Sequence, residues 1–245
     1  MILYVNGCSH SAAAEALVKY AWSCDDGDLW GTGAEPHPAN LAVSYGKRIA
    51  DAMGMDLICQ ASSGGSNDRV IRTTTEWINH NQEQLANTFV ILQWTTWERE
   101  EWLHNGTWYQ VNASGIDTVP SELQERYKNY VVNVDWPSKT LDAHDKIWAM
   151  HLYLKQLGVR HLFFSGHSTF SDIQDQLDWG KYYMYPYVRE ESYHNWLINN
   201  GGTYANAKSY HFDAKSHRLW AERVLQYIKD NQLLGTNEIP ANRHV

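Results

Sequence analysis

The chain has 245 residues and a formal charge of −8, from 20 Lys+Arg against 28 Asp+Glu, with 43% hydrophobic and 20% charged residues. That balance is typical of a globular protein, and without a basic tract it speaks against nucleic acid or an anionic membrane as partner. The chain lacks the roughly 18-residue apolar run of a membrane span, and its apolar start at Met1–Val5 is too short for a signal peptide, so a cytoplasmic location is expected. Its three cysteines, Cys8, Cys24 and Cys59, have neither CxxC spacing for zinc nor the even number of a disulfide framework.

Taken in chain order, Ile2–Val5 reads as a short buried strand ending at Asn6-Gly7. Residues 40–53 carry Leu41, Tyr45, Ile49 and Met53 at helical spacing, with Gly54 as the stop. Asp56–Cys59 predicts a second strand and Asn67–Asn79 a helix with Val70, Ile71, Thr74 and Ile78 on one side. Thr88–Trp94 is a continuous apolar run, the mark of a strand buried on both faces. From Trp97 to Ser138 the pattern dissolves, which predicts an elaborated loop or insertion. Leu141–Leu157 is a helix stopped by Gly158, Val159–Phe164 a strand, and residues 171–205 a second irregular stretch. Ala214–Leu233 is the last helix, capped by Asp213, with Leu219, Val224, Tyr227 and Ile228 toward the core.

No linker or repeat divides the chain, so one domain over residues 1–245 is expected. Alternating β and α with apolar central strands predicts a three-layer α/β/α sandwich around a parallel sheet of about five strands, flavodoxin-like in order. Ligands of such sheets sit beyond the C-terminal ends of the strands. Four turns therefore matter: residues 7–11, 61–67, 93–99 and 165–167.

The first turn, Gly7-Cys8-Ser9-His10-Ser11, runs into Ala12-Ala13-Ala14-Glu15-Ala16-Leu17, which reads as the start of a helix. A serine there lies where free N–H groups favour a developing oxyanion, although it equally suits a helix cap. Gly64-Gly65 in the second turn lets backbone N–H groups approach a ligand. In the third, Arg99 is either an anion contact or a salt-bridged surface residue. His211, just before the last helix, is placed to lean over the sheet edge as a general base.

In this order the four pieces resemble the SGNH (GDSL-like) hydrolases over most of the chain. Gly7-Cys8-Ser9 stands where the family has GDS, Ala61-Ser62-Ser63-Gly64 where it has N-x-A-x-x-G, and Gln93-Trp94-Thr95-Thr96 where it has G-x-N-D. His211–His217 stands at the family's final His block, before a helix containing Trp220-Ala221. The GCS/GGSN/QWT variant is similar to a divergent branch frequent in phage and marine bacterial proteins. The resemblance implies Ser9 as nucleophile, His211 as base, and the N–H groups of Ser9 and Gly64, with Thr95 or Asn67, as oxyanion donors. It implies no cofactor, and substrates that are small acyl esters such as O-acetylated carbohydrate.

Three departures stand out. Cys59 replaces the second-block Asn, Thr95 the third-block Asn, and Lys208 the Asp that precedes the catalytic His by three residues. An imidazole without its carboxylate is poorly oriented, which leaves weak activity, an acid from elsewhere (Asp25, Asp26, Asp172 or Asp178), or a degenerate site. A second alignment pairs His217 with Asp213. His10 reads either as a substrate contact or as a turn residue, and His167, facing the same sheet edge, either as a substrate contact with Arg99 or as a structural or solvent-exposed residue; no HxH or HExxH spacing predicts a metal.

With 12 Trp and 15 Tyr, the aromatic load suits sugar stacking or a large interface. The aromatic-dense run Trp179–Tyr187 reads either as a satellite core or as a lid in which Tyr182, Tyr183 and Tyr185 contact substrate. Rival readings are a carbohydrate-binding protein that has lost catalysis and a phage structural protein assembling through its Trp/Tyr surface, associated with the virion.

Overall fold

A computed structural model describes residues 1–19, 36–113, 115–116, 119–206 and 208–234. Strand β1 (Ile2–Asn6) is flanked by β2 (Asp56–Cys59) and β3 (Thr88–Trp94), and the sheet continues through β6 (Arg160–Ser165) to β7 (Tyr183–Met184). The order is β2-β1-β3-β6-β7 and every pairing is parallel. This is the flavodoxin-like arrangement, whose strand order reverses beside the first strand.

Alternation along the strands divides the core in two. Leu3, Val5, Phe89, Ile91, Leu162 and Phe164 pack against helices α2 (Tyr45–Met53), α6 (Tyr193–Asn199) and α7 (Ala214–Asp230). Tyr4, Val90, Leu92 and Phe163 pack on the opposite face against α3 (Asn67–His80) and α5 (Trp136–Gln156). The result is three layers, with every residue of β3 buried.

Several expectations are corrected in detail. The helix expected over residues 40–53 is two, α1 (Pro38–Leu41) and α2, because the Ser44 hydroxyl accepts the Lys47 N–H and caps a fresh start. The insertion expected from Trp97 to Ser138 carries regular elements. It holds a hairpin of β4 (Glu100–His104) and β5 (Thr107–Val111), then α4 (Gln124–Val132), and α5 begins already at Trp136. Asn105 and Gly106, at φ 49° and 79°, form the two-residue turn whose left-handed backbone matches the twist of a hairpin. Trp102, Val111, Val119 and Tyr127 give this unit a small core of its own. The irregular stretch near residues 171–205 contains β7 and α6, and β8 (Tyr204–Asn206) pairs antiparallel with β9 (His211–Phe212) just before α7. Asp213 caps α7 as expected, accepting the Ser216 N–H at 2.8 Å. Among the described residues no helix is long and apolar enough to cross a membrane.

Candidate active site

The C-terminal ends of β1, β2, β3 and β6 bring all four turns to one edge of the sheet, and β9 brings His211 there. At the end of β1 the fully buried Asn6 amide donates to the Val70 carbonyl (3.3 Å) and to Thr73 and Thr74 (2.9 and 3.0 Å), which ties the strand end to α3. Its carbonyl takes the Gly7 N–H at 2.8 Å. Gly7 has to be glycine: a Cβ there would lie 2.3 Å from Ser11 Oγ and 3.0 Å from Gln93 Cβ. Ser11 Oγ in turn donates to Gln93 Oε1 (2.5 Å) and accepts from Tyr45 OH (2.6 Å). Gln93 thus braces the turn that carries Ser9.

The helix expected after Ser9 does not form. Residues 8–16 make successive turns, with Ser11 and Ala12 N–H both on the Cys8 carbonyl, and Ala13 and Glu15 adopt left-handed backbone at φ 54° and 62°. Such a conformation costs a non-glycine residue on the order of 1–2 kcal/mol. Burial of Ala12, Ala13 and Ala14, each almost complete, accompanies it. The consequence is that Glu15 turns back toward His211.

His211 Nε2 lies 2.9 Å from Ser9 Oγ, and His211 Nδ1 lies 2.6 Å from Glu15 Oε2. Glu15 is anchored further by the Ser209 hydroxyl on Oε2 and by Asn206 Nδ2 on Oε1 at 3.0 Å. Burial acts to raise the Glu15 pKa, but these hydrogen bonds from Ser209, His211 and Asn206 outweigh it and hold the carboxyl below its ordinary value. Glu15 is therefore an ionised acceptor and Nδ1 of His211 must donate to it, which leaves the Nε2 lone pair to accept from Ser9. Burial lowers the His211 pKa more than Glu15 raises it, so the ring is neutral at neutral pH. Ser9 and His211 are each more than nine-tenths buried. An imidazole so oriented can take the serine proton while Glu15 stabilises the imidazolium that forms.

A cavity of about 400 Å³ opens on this chain, lined by Ser9 and His211 with His10, His167, Arg99 and Glu98, and by Thr96, His194, Ser209 and Tyr210 at its margins. His10 Nε2 and His167 Nε2 are 2.8 Å apart, a contact that requires one ring to donate and the other to accept. Burial first, then neighbouring positive charge including Arg99, lowers His10 well below its ordinary value and His167 to about 3. Both rings are thus neutral. The structure brings His10, Arg99 and His167 together with Ser9.

The oxyanion candidates divide. Ser9 and Gly64 N–H have no hydrogen-bond acceptor among the described residues. The second turn packs on the first, with Ser62 N–H on the Gly7 carbonyl at 3.2 Å. Asn67 Oδ1 takes the Thr95 N–H at 2.9 Å, so only its side-chain NH₂ is left to donate. The Thr95 hydroxyl is buried without a partner among the described residues. Gly64, Asn67 and Thr95 stand outside the residues lining the cavity.

The tyrosines expected at a substrate platform lie elsewhere. Tyr183 is buried in the core with its hydroxyl 2.9 Å from Ser165 Oγ, Tyr182 stacks on His161, and the exposed Tyr185 meets Tyr227 edge-on. Their positions follow from β7, which inserts residues 183–184 into the sheet. The pairing of His217 with Asp213 is also set aside. His217 is enclosed by the core and receives the Tyr45 N–H on Nδ1 at 3.3 Å, while Asp213 is committed to the α7 cap. Asp172 and Asp178 hold Ser171 and the Gly180 N–H, and Asp25 and Asp26 lie outside the described residues.

Glu15 is the residue that sequence reasoning missed. The faint signal for it is a single acid inside an otherwise apolar Ala-rich run directly after the Ser9 turn. Among the described residues no three His, Cys, Asp or Glu side chains form a group that could hold a metal ion. Fold and site define a parallel α/β/α protein with a hydrogen-bonded Ser–His–Glu chain, its serine and histidine buried, at the C-terminal edge of its sheet. In comparisons with known proteins, no family model and no curated relative matches the chain.

Proposed function

We propose that the protein is a serine-dependent ester hydrolase of the SGNH type acting on small acyl esters, with O-acetylated carbohydrate as the natural substrate class. The observation that carries the reading is the hydrogen-bonded chain Ser9–His211–Glu15 opening on a cavity of about 400 Å³. Ser9 Oγ attacks the acyl carbon as its proton passes to His211 Nε2. The imidazolium then gives that proton to the leaving alcohol, and a water activated by the same nitrogen releases the acyl group from Ser9. Negative charge on the tetrahedral oxygen is met by the unpartnered N–H of Ser9, the oxyanion candidate that lines the cavity.

A degenerate site would be the natural reading if Lys208, standing where the family has its acid, left His211 without a carboxylate. Lys208 is exposed, and Glu15 takes the acid's position against Nδ1. Intact-mass analysis after exposure to a small neutral fluorophosphonate tests the proposal. One adduct on Ser9, absent in Ser9→Ala and slowed in His211→Ala, is expected. A folded wild-type chain that takes up no label overturns it.

A further inference from the structure

Arg99 carries the guanidinium of the Ser9 cavity, yet its Nε and Nη1 are shut away from water with no hydrogen-bond partner among the described residues. Donors of a charged group that are shut away without an acceptor cost free energy, and an anionic ligand that accepts from them removes that cost. Glu98 lines the same cavity without pairing to Arg99. Its Oε1 accepts from the Thr96 hydroxyl at 2.9 Å, and its Oε2 is buried and unpartnered. Three histidines of the cavity wall, His10, His167 and His211, are neutral at neutral pH. His10, more than nine-tenths buried, adds a fourth unpartnered polar atom in Nδ1. The wall therefore offers a forked cation, a carboxylate acceptor and an imidazole nitrogen, each lacking a partner, around one nucleophile.

We propose that the substrate of this site is an O-acylated sugar acid, whose carboxylate pairs with Arg99 and whose ring hydroxyl donates to Glu98 Oε2. Planar guanidinium and carboxylate match in a two-point contact, and a polyol supplies the hydroxyl that a bare carboxylate at Glu98 needs. A neutral sugar ester leaves Arg99 unpaired, and a simple alkyl ester leaves both Arg99 and Glu98 unpaired. The inference rests on the esterase reading above.

The test compares kcat/KM for an O-acetylated methyl glucuronide, its carboxyl methyl ester and the corresponding O-acetylated methyl glucoside, with 4-nitrophenyl acetate as a general ester. Wild-type protein should prefer the free uronate over its methyl ester by about 10- to 100-fold, the range expected for hydrogen bonds to a charged group. Arg99→Met should reduce that ratio to within about threefold of unity, and Arg99→Lys should restore part of it through charge alone. The wild-type ratio needs no variant, so a poorly folding Arg99→Met does not remove the test. Equal rates on uronate and methyl ester, or a ratio unchanged in Arg99→Met, overturn the assignment while leaving the esterase reading intact. Absence of Ser9-dependent turnover on every ester, 4-nitrophenyl acetate included, overturns both.

Discussion

Replacing Glu15 by Gln removes one charge and no volume, and the surrounding hydrogen bonds determine the cost. The carboxylate receives His211 Nδ1 and the Ser209 hydroxyl on Oε2 and Asn206 Nδ2 on Oε1. If the new amide turns its nitrogen toward His211, Nδ1 becomes the acceptor and the ring proton moves to Nε2, opposite Ser9, where no base remains. If it turns its oxygen toward His211, its NH₂ meets the NH₂ of Asn206. Asn206 has little freedom to turn over, because its Oδ1 already accepts the Lys208 N–H at 2.9 Å. One orientation loses the tautomer, the other loses the charge and sets two donors against each other. The comparable carboxylate-to-amide change in a serine triad costs about 10⁴ in kcat, so a fall of about 10³- to 10⁴-fold is expected, or about 4–5.5 kcal/mol of transition-state stabilisation.

The same variant makes a second, signed prediction. In the wild type, activity should fall with pH as His211 protonates, at a pKa below the ordinary 6.5. Glu15 is the group that raises that pKa, so Glu15→Gln should move the acid limb of kcat/KM to lower pH while lowering the plateau. The assay is hydrolysis of 4-nitrophenyl acetate across pH, with the rate of fluorophosphonate labelling as a check on Ser9 itself. A Glu15→Gln protein within tenfold of wild type, or an acid limb that moves upward, would show that Glu15 does not orient His211.

Asn206→Ala should act through Glu15 rather than on substrate. Losing a hydrogen bond that lowers the Glu15 pKa raises that pKa, and a roughly tenfold loss of kcat that steepens toward low pH is expected; a change in KM alone would count against it. Gly7→Ala forces a Cβ onto Ser11 Oγ and Gln93, and about 1–3 kcal/mol of stability should be lost together with most Ser9 labelling, read by denaturant titration and mass analysis. Stability itself should depend on pH through buried neutral histidines. Burial lowers His161 to about 4 and His167 to about 3, so their contribution is complete above the unfolded value near 6.5 and is lost as pH falls toward 4 and 3. A thermal midpoint unchanged between about pH 7 and about pH 4.5 refutes that account.

The parallel sheet was legible because its strands are short, apolar and buried on both faces, so composition alone marks Thr88–Trp94 and Val159–Phe164. The hairpin at residues 100–111 was not, although Asn105-Gly106 is a strong turn signal, because its strands are largely polar and only Trp102, Gln110 and Val111 are buried. Aromatic residues 179–187 were ambiguous for a different reason. A core and a sugar platform draw on the same side chains, and only the pairing of Tyr183–Met184 with β6 assigns Tyr183 to the core.

Ser9 and His211 were legible for what they are, residue types in a fixed order at strand ends. Glu15 is legible only for where the backbone sends it. Ala12–Leu17 carries the local signature of a helix, and in a helix Glu15 would point away from a histidine nearly two hundred residues later in the chain. Two left-handed residues and three buried alanines replace the helix with turns, and the β8–β9 hairpin then carries His211, Ser209 and Asn206 onto the carboxylate. An acid next to the base in sequence positions itself with the base. An acid on the nucleophile's own loop ties Ser9 and Glu15 together and makes the docking of one hairpin decide both hydrogen bonds of His211 at once. Lys208 stands in the place of an acid because the carboxylate against Nδ1 comes instead from the loop that carries Ser9.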